Sequence, residues 1–172
     1  MSFIFRGTFN SNSGPLLRRE ILGNSVTFVQ ADSLKLSSGF LVAGTAGALV
    51  YGHLRAVSTE LGVGVNTTGA AGAAMGSYVG SYLTASDNQT VGKVKGEVDI
   101  SKMSIVQADF ETAIGTTTGS NLAGYFCDLD SATQLDESDT TTTTMQYALH
   151  GVDPIKSSCA LANIYESQVF GV

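Results

Sequence analysis

Short apolar stretches with a period of two, separated by turn residues, recur along most of this chain. The pairs in the first half are Val26 and Phe28, Leu34 and Leu36, and Phe40 and Val42, and a turn is predicted at Ser37, Ser38 and Gly39. In residues 93–102, Val94, Val98 and Ile100 alternate with Lys93, Lys95, Glu97 and Asp99. This period indicates strands that bury one face. The sequence therefore predicts a mainly β fold, a small antiparallel β-barrel or β-sandwich.

The second half of the chain repeats the strand pattern, and helix is predicted in only two short segments. Later strands are predicted over residues 124–129, 143–150 and 159–165. One short helix is predicted between Pro15 and Gly23, because Ser13 is a suitable N-cap, proline favours the first turn and glycine ends helices. Residues 106–114 predict one or two amphipathic helical turns.

The N-terminal segment differs in pattern from the rest of the chain. Its phenylalanines, Phe3, Phe5 and Phe9, alternate with other residues ahead of a polar stretch. Such a segment is either a first strand of the core or an arm that lies on a partner. Because 172 residues suit one domain, we predict an extended N-terminal arm over residues 1–23 and a single β-rich domain over residues 24–172.

Charge and cysteine content exclude several classes of protein. Nine basic against fifteen acidic side chains give a net charge of −6, which disfavours binding to nucleic acid. Cys127 and Cys159 are too sparse for a disulfide scaffold and are predicted to be buried thiols. The first residues lack the pattern of a signal peptide, so export by that route is not expected.

The uncharged stretch over residues 62–80 is predicted to be a pliable loop. Gly72, Gly76 and Gly80 have the spacing that lets membrane helices pack closely. The stretch has few large apolar residues, however, so its transfer into hydrocarbon gains little. No membrane span is therefore predicted.

No sequence motif indicates a catalytic, metal-binding or cofactor-binding site. The chain has two histidines, His53 and His150, and both are predicted to lie at strand ends or on the surface. The sequence that starts at Asp128 fails as a calcium loop, because Ala132 and Thr133 occupy the positions of a ligand and the required glycine. We therefore expect no catalytic residue, no metal and no cofactor, and a structural or binding protein rather than an enzyme.

The order of the strand patterns resembles that of head decoration, or cement, proteins of tailed bacteriophages. The stretches that carry the resemblance are residues 26–36, 39–44, 50–54, 124–130, 146–154 and 160–164. The resemblance implies a β-barrel without catalytic activity that is made in the bacterial cytoplasm. It also implies binding to the major capsid protein on the outside of the expanded capsid, often as a homotrimer.

The same resemblance implies two kinds of contact. The N-terminal segment would add a strand to the shell protein, and the small-residue loop would pack between subunits, because glycine permits close backbone approach. The residues implied are Phe3, Phe5, Arg6 and Phe9 for the shell, and Gly72 and Gly76 for the subunit contact.

Three other functions remain as alternatives. A tail or head-fibre protein would share the β content, although the chain has no repeats of the kind that fibres show. A carbohydrate-binding β-sandwich usually presents Trp or Tyr platforms, and this chain has no Trp. A hydrolase with two carboxylates would have to use Asp128, Asp130 and Asp153, which are the clustered candidates.

Overall fold

The computed structural model of the chain describes residues 3–9, 15–59, 81–92, 94–110, 123–136, 146–154 and 159–165. The strands in the first half are β1 (Ile4–Thr8), β2 (Leu17–Ile21), β3 (Thr27–Val29), β4 (Ser33–Ser37), β5 (Phe40–Ala43), β6 (Gly52–Thr59) and β7 (Ser81–Leu83). Those in the second half are β8 (Val94–Asp99), β9 (Ser104–Phe110), β10 (Phe126–Cys127), β11 (Leu129–Ser131), β12 (Gln134–Leu135), β13 (Tyr147–Val152) and β14 (Cys159–Ile164). Within these ranges the helix content is one turn, α1 (Asn88–Val91). The prediction of a mainly β fold is confirmed.

The larger sheet has seven strands and is nearly closed into a barrel. Its order is β10, β13, β14, β9, β12 and β11, and β1 pairs with β9. The first and last strands of this order, β10 and β11, are separated in the chain only by Asp128. The sheet therefore returns almost to its starting point. Its interior residues include Val106, Phe110, Leu129, Leu135, Leu149 and Ile164.

The second sheet has five strands in the order β2, β8, β6, β4 and β5, and a further pair is formed by β3 and β7. A parallel bridge between Leu22 and Leu41 joins the two ends of the five-stranded sheet. Gly96 lies inside, where an added Cβ would come within 2.8 Å of the Leu22 side chain and 3.1 Å of the Leu54 side chain. Glycine at this position thus lets the strands close tightly around the leucine core.

A two-residue turn connects β4 to β5 and confirms the turn predicted at this place. Ser37 pairs with Phe40, and Ser38 and Gly39 have φ angles of 51° and 84°. Positive φ at both central residues is the requirement of a type I′ hairpin turn, which matches the twist of the flanking strands.

Hydrogen bonds fix the two large sheets to each other. The Ser33 amide donates to the Ala132 carbonyl oxygen at 2.7 Å. Gln146, just before β13, donates from Nε2 to the Thr45 carbonyl oxygen at 3.0 Å and accepts from the Leu129 amide at 2.7 Å. Because Gln146 is fully buried, these bonds satisfy polar groups that would otherwise lose water without compensation.

Both predicted helices are wrong within the described residues. Residues 17–21 of the first form β2, which pairs with β8, and residues 106–110 of the second belong to β9. A helix of two turns is marginal alone. Strand pairing instead gives these segments backbone partners, and β9 is paired along both of its edges.

Within the described residues, the N-terminal segment is a first strand of the core, which is the alternative to an arm that the sequence left open. β1 pairs antiparallel with β9, and β2 forms one edge of the five-stranded sheet. The Phe3 amide donates to the Ala31 carbonyl oxygen at 2.9 Å, and the Phe3 side chain belongs to the core. The described part of residues 1–23 is therefore integrated into the same β structure as the rest, because burying its aromatic residues removes apolar surface from water.

Candidate functional site

Two of the three carboxylates considered for catalysis contact groups of the protein itself. Asp128 is buried and accepts from the Gln146 amide at 3.1 Å. Asp153 is buried and forms an ion pair with Arg6 at 3.2 Å, whereas Asp130 is exposed. No group of three or more histidine, cysteine or acidic residues in the described ranges is arranged to hold a metal ion.

His53 does not lie on the surface, so that part of its prediction is wrong. It is buried near the start of β6, where its Nε2 is 2.8 Å from the Tyr147 hydroxyl oxygen. The Tyr147 hydroxyl in turn donates to Ser33 Oγ at 2.9 Å. His150, by contrast, is exposed on β13 as predicted. The hydrogen-bonded row of His53, Tyr147 and Ser33 crosses from the five-stranded to the seven-stranded sheet.

Burial sets the protonation of this row. It raises the pKa of Tyr147 far above the ordinary value of a phenol and lowers the pKa of His53 to about 3. The Asp99 charge partly opposes the shift at His53, and the Arg55 charge adds to it. The two titratable side chains of the row, Tyr147 and His53, are thus neutral at pH 7. Uncharged, hydrogen-bonded groups of this kind are suited to joining two sheets.

A buried ion pair lies beside this row. Arg55 of β6 donates to Asp99 Oδ2 at 3.0 Å, and Ser104 donates to the same oxygen at 2.8 Å. The sequence pattern placed Asp99 on the polar side of its strand, but the side chain is fully buried. A buried carboxylate needs such partners, since losing water around a charge is costly.

The predicted partner-binding phenylalanines lie in three different environments. Phe3 is 0% exposed, and Phe5 is half-buried with the Arg55 guanidinium 4.5 Å above its ring. Phe9 is 48% exposed, and its ring meets that of His150 edge to face at 4.8 Å. Of the three, only Phe9 presents a largely accessible ring.

The remaining predicted contact residues give less support to a partner surface. Arg6 hydrogen-bonds Gln107 and Asp153, so its guanidinium is held by the chain itself. Gly72 and Gly76 lie outside the described residues. The predicted buried thiols are confirmed, since Cys127 and Cys159 are both fully buried.

The best candidate for a binding surface is a strip of side chains on the outer side of the seven-stranded sheet. We call it the outer aromatic face, and it consists of Phe9, Met103, Phe126, His150, Asn163 and Tyr165. Phe9 and Tyr165 are each 48% exposed, and Met103 is 46% exposed. Exposed apolar groups that lie together mark interaction sites more often than single ones do.

Strand register places these side chains together. Phe126 pairs with Ala148 and Ala148 with Asn163, while their strand neighbours Cys127 and Tyr147 point into the barrel. Successive residues of a strand point to opposite sides of the sheet, so Phe126, Ala148 and Asn163 point outward.

Direct contacts extend the strip across four strands. The Phe126 and Tyr165 rings are 4.5 Å apart, and the His150 ring hydrogen-bonds Asn163 and touches Phe9. The Phe9 amide donates to the Met103 carbonyl oxygen at 3.0 Å. These contacts join Phe126 to Tyr165, and Asn163 through His150 to Phe9.

Sequence reasoning identified Phe9 and missed the other members of this face. The sequence did contain a signal for His150, because the alternation that places Tyr147 and Leu149 inside also places His150 outside. What the pattern did not contain is which strands are neighbours. Without that order, Phe126, His150 and Tyr165 are isolated outward residues.

The chain matches no protein-family model, no curated protein and no solved structure in the three comparisons made. Among the described residues, no helix has the length and apolar character needed to cross a membrane.

Proposed function

We propose that this protein is a non-catalytic virion protein that decorates the outside of an expanded phage capsid and stabilises it. The observation that carries the proposal is the outer aromatic face, on which Phe9, Met103 and Tyr165 are accessible. Aromatic residues and methionine are enriched at protein interfaces, and acidic residues are depleted from interface centres. A face of this composition suits a protein partner, here the major capsid protein.

Binding to the assembled shell alone explains how such a protein stabilises a capsid. A ligand that binds only the expanded form shifts the equilibrium toward that form by mass action. The resemblance to decoration proteins adds a homotrimer and a location on the capsid exterior to the proposal. The nearly closed β fold supports it by offering a rigid surface, since side chains held on paired strands lose little further freedom on binding.

The proposal is tested by co-sedimentation with procapsids and expanded capsids of the tailed phage that encodes the chain. We expect saturable binding to expanded capsids at a fixed ratio to the major capsid protein. Replacing Phe9 and Tyr165 together with serine should weaken binding at least about tenfold, because central aromatic residues carry much of an interface's energy.

The matched control is Leu83→Ser. Leu83 is 65% exposed but lies on β7, away from the outer aromatic face. This variant should bind as the unaltered protein does, and all variants should keep their melting temperatures. Absence of binding to either shell by the folded protein would overturn the decoration role, and binding to purified tails instead would favour a tail or head-fibre protein.

A carbohydrate-binding role is the second candidate, and one observation favours it. Tyr165, whose ring contacts that of Phe126, lies two residues after Asn163, the hydrogen-bond partner of His150. Aromatic faces with adjacent hydrogen-bonding groups are the elements of a mostly apolar site with a few polar groups that fix orientation.

Glycan-array binding by the unaltered protein separates this candidate from capsid decoration. We expect no glycan signal if the decoration role is correct. A signal that is lost in Tyr165→Ala and kept in Leu83→Ser would instead support glycan binding through the outer aromatic face.

A further inference from the structure

The Phe3 ring lies between two aromatic rings where the two large sheets meet, a place that we call the joint of the two large sheets. Its ring stacks on Tyr147 at 5.0 Å with an interplanar angle of 12°, and on His53 at 5.1 Å with an angle of 30°. Phe3 directly precedes β1, so this stack holds the start of the N-terminal strand. His53 thus contacts the N-terminal segment and both sheets at once.

Hydrogen bonding identifies which nitrogen of His53 carries the proton. The Tyr147 hydroxyl donates its hydrogen to Ser33 Oγ, so its oxygen accepts from His53 Nε2. The neutral ring therefore has its hydrogen on Nε2 and a lone pair on Nδ1. That Nδ1 is buried and has no hydrogen-bond partner in the described part of the chain. Protonation would place a new N–H donor at an atom without an acceptor.

The charged groups around His53 offer little stabilisation to a protonated, cationic imidazole ring. Arg55 on the same strand is cationic, and Asp99, opposite His53 on β8, is already bound by Arg55, Ser104 and the Ser101 amide. The other titratable groups of the packed elements are held as follows. Asp32, before β4, accepts from the Val29 amide, and Arg6 of β1 binds Asp153. Tyr147 of β13 belongs to the row itself, and Cys127 of β10 is its neighbour.

We propose that His53 is an acid-sensitive latch, whose protonation releases Phe3 and β1 from the joint while the five-stranded sheet stays folded. Opening exposes the imidazole to water, where it binds a proton readily, whereas the closed joint holds it neutral. Acid thus favours the open form.

The sign and range of the effect follow from linkage. Burial lowers the pKa of His53 to about 3 in the closed joint, against an ordinary value of 6.5. The open form therefore binds more protons between these values, and the closed form loses stability as the pH falls below about 6.5. The equilibrium constant for opening should rise by up to about tenfold for each pH unit in this window.

Hydrogen exchange measured by mass spectrometry on the full chain between pH 7 and pH 4.5 tests the latch. After correction for intrinsic exchange rates, protection of the β1 amides should fall at least about thirtyfold. The β2 amides, which pair with β8, should change less than threefold. His53→Gln should abolish the pH effect, because a carboxamide still donates to Tyr147 but does not titrate. His150→Gln, at the exposed histidine, should leave the effect intact.

Several outcomes would overturn the latch. They are pH-independent protection of β1, parallel loss of protection in β1 and β2, and an undiminished effect in His53→Gln. If that variant does not fold, NMR titration of the His53 ring in the unaltered protein decides. The His53 ring should titrate only as β1 opens, and titration near pH 6.5 with β1 protected would refute the proposal.

Discussion

Replacing Phe3 with alanine should lower the free energy of unfolding by about 3–5 kcal/mol, the usual cost of removing a buried phenylalanine ring. Phe3 is fully buried between His53 and Tyr147, so its loss leaves a cavity at the joint of the two sheets. Urea unfolding at pH 7, followed by far-ultraviolet circular dichroism, measures the change. The expected midpoint shift is large for a single substitution outside the main strands.

Phe9→Ala is the matched control, since it removes the same ring from the same segment at a position that is 48% exposed. Its cost should stay below about 1 kcal/mol, as for most surface substitutions. Equal and small effects of the two substitutions would show that the N-terminal segment is not packed as described. The interpretation of residues 1–23 as an arm would then return.

Replacing Asp99 with alanine should destabilise the protein by about 3 kcal/mol, because it leaves the partly buried Arg55 without its charge partner. The carboxylate also accepts hydrogen bonds from Ser104 and the Ser101 amide, which would lose their partner. Urea unfolding at neutral pH again gives the measurement. Asp130→Ala, at an exposed aspartate, should change stability by less than about 0.5 kcal/mol.

A second variant shows whether the loss comes from the unpaired charge. Adding Arg55→Met to Asp99→Ala removes the cation as well, and it should recover part of the lost stability, since an uncharged replacement of a buried ion pair is often tolerated. A double variant that is less stable than Asp99→Ala would mean that Arg55 contributes through its stem and its contact with the Phe5 ring instead.

The strands were predictable because their signal is local. Alternation of apolar and polar residues located β4, β5, β8, β13 and β14, and the turn at Ser38 and Gly39 followed from its residue types. The helix prediction for the segment after Pro15 was wrong because the decisive interaction is not local. Its helix signals were local as well, but the pairing of Arg19 with Glu97 in β8 supplies backbone partners that no local pattern contains.

The candidate surface was predictable only in part. Phe9 was identified from the alternation of phenylalanines in the N-terminal segment, whereas its contact with His150 depends on strand order. Arg6 illustrates the same limit, since its acidic partner Asp153 is 147 residues away in the chain. Alternation says which side of a strand a residue takes, and the fold alone says which residues meet there.

The pairing of β1 with β9 has a consequence for the order of folding during synthesis. Arg6 and Gln107, which hydrogen-bond each other, are 101 residues apart. The five-stranded sheet has all its strands once Asp99 has emerged from the ribosome, whereas β1 must wait for β9. Domains that depend on such distant contacts fold slowly, because a long loop must close before the contacts form. β1 thus finds its partner only after all strands of the five-stranded sheet have emerged, and its phenylalanines stay accessible to chaperones until then.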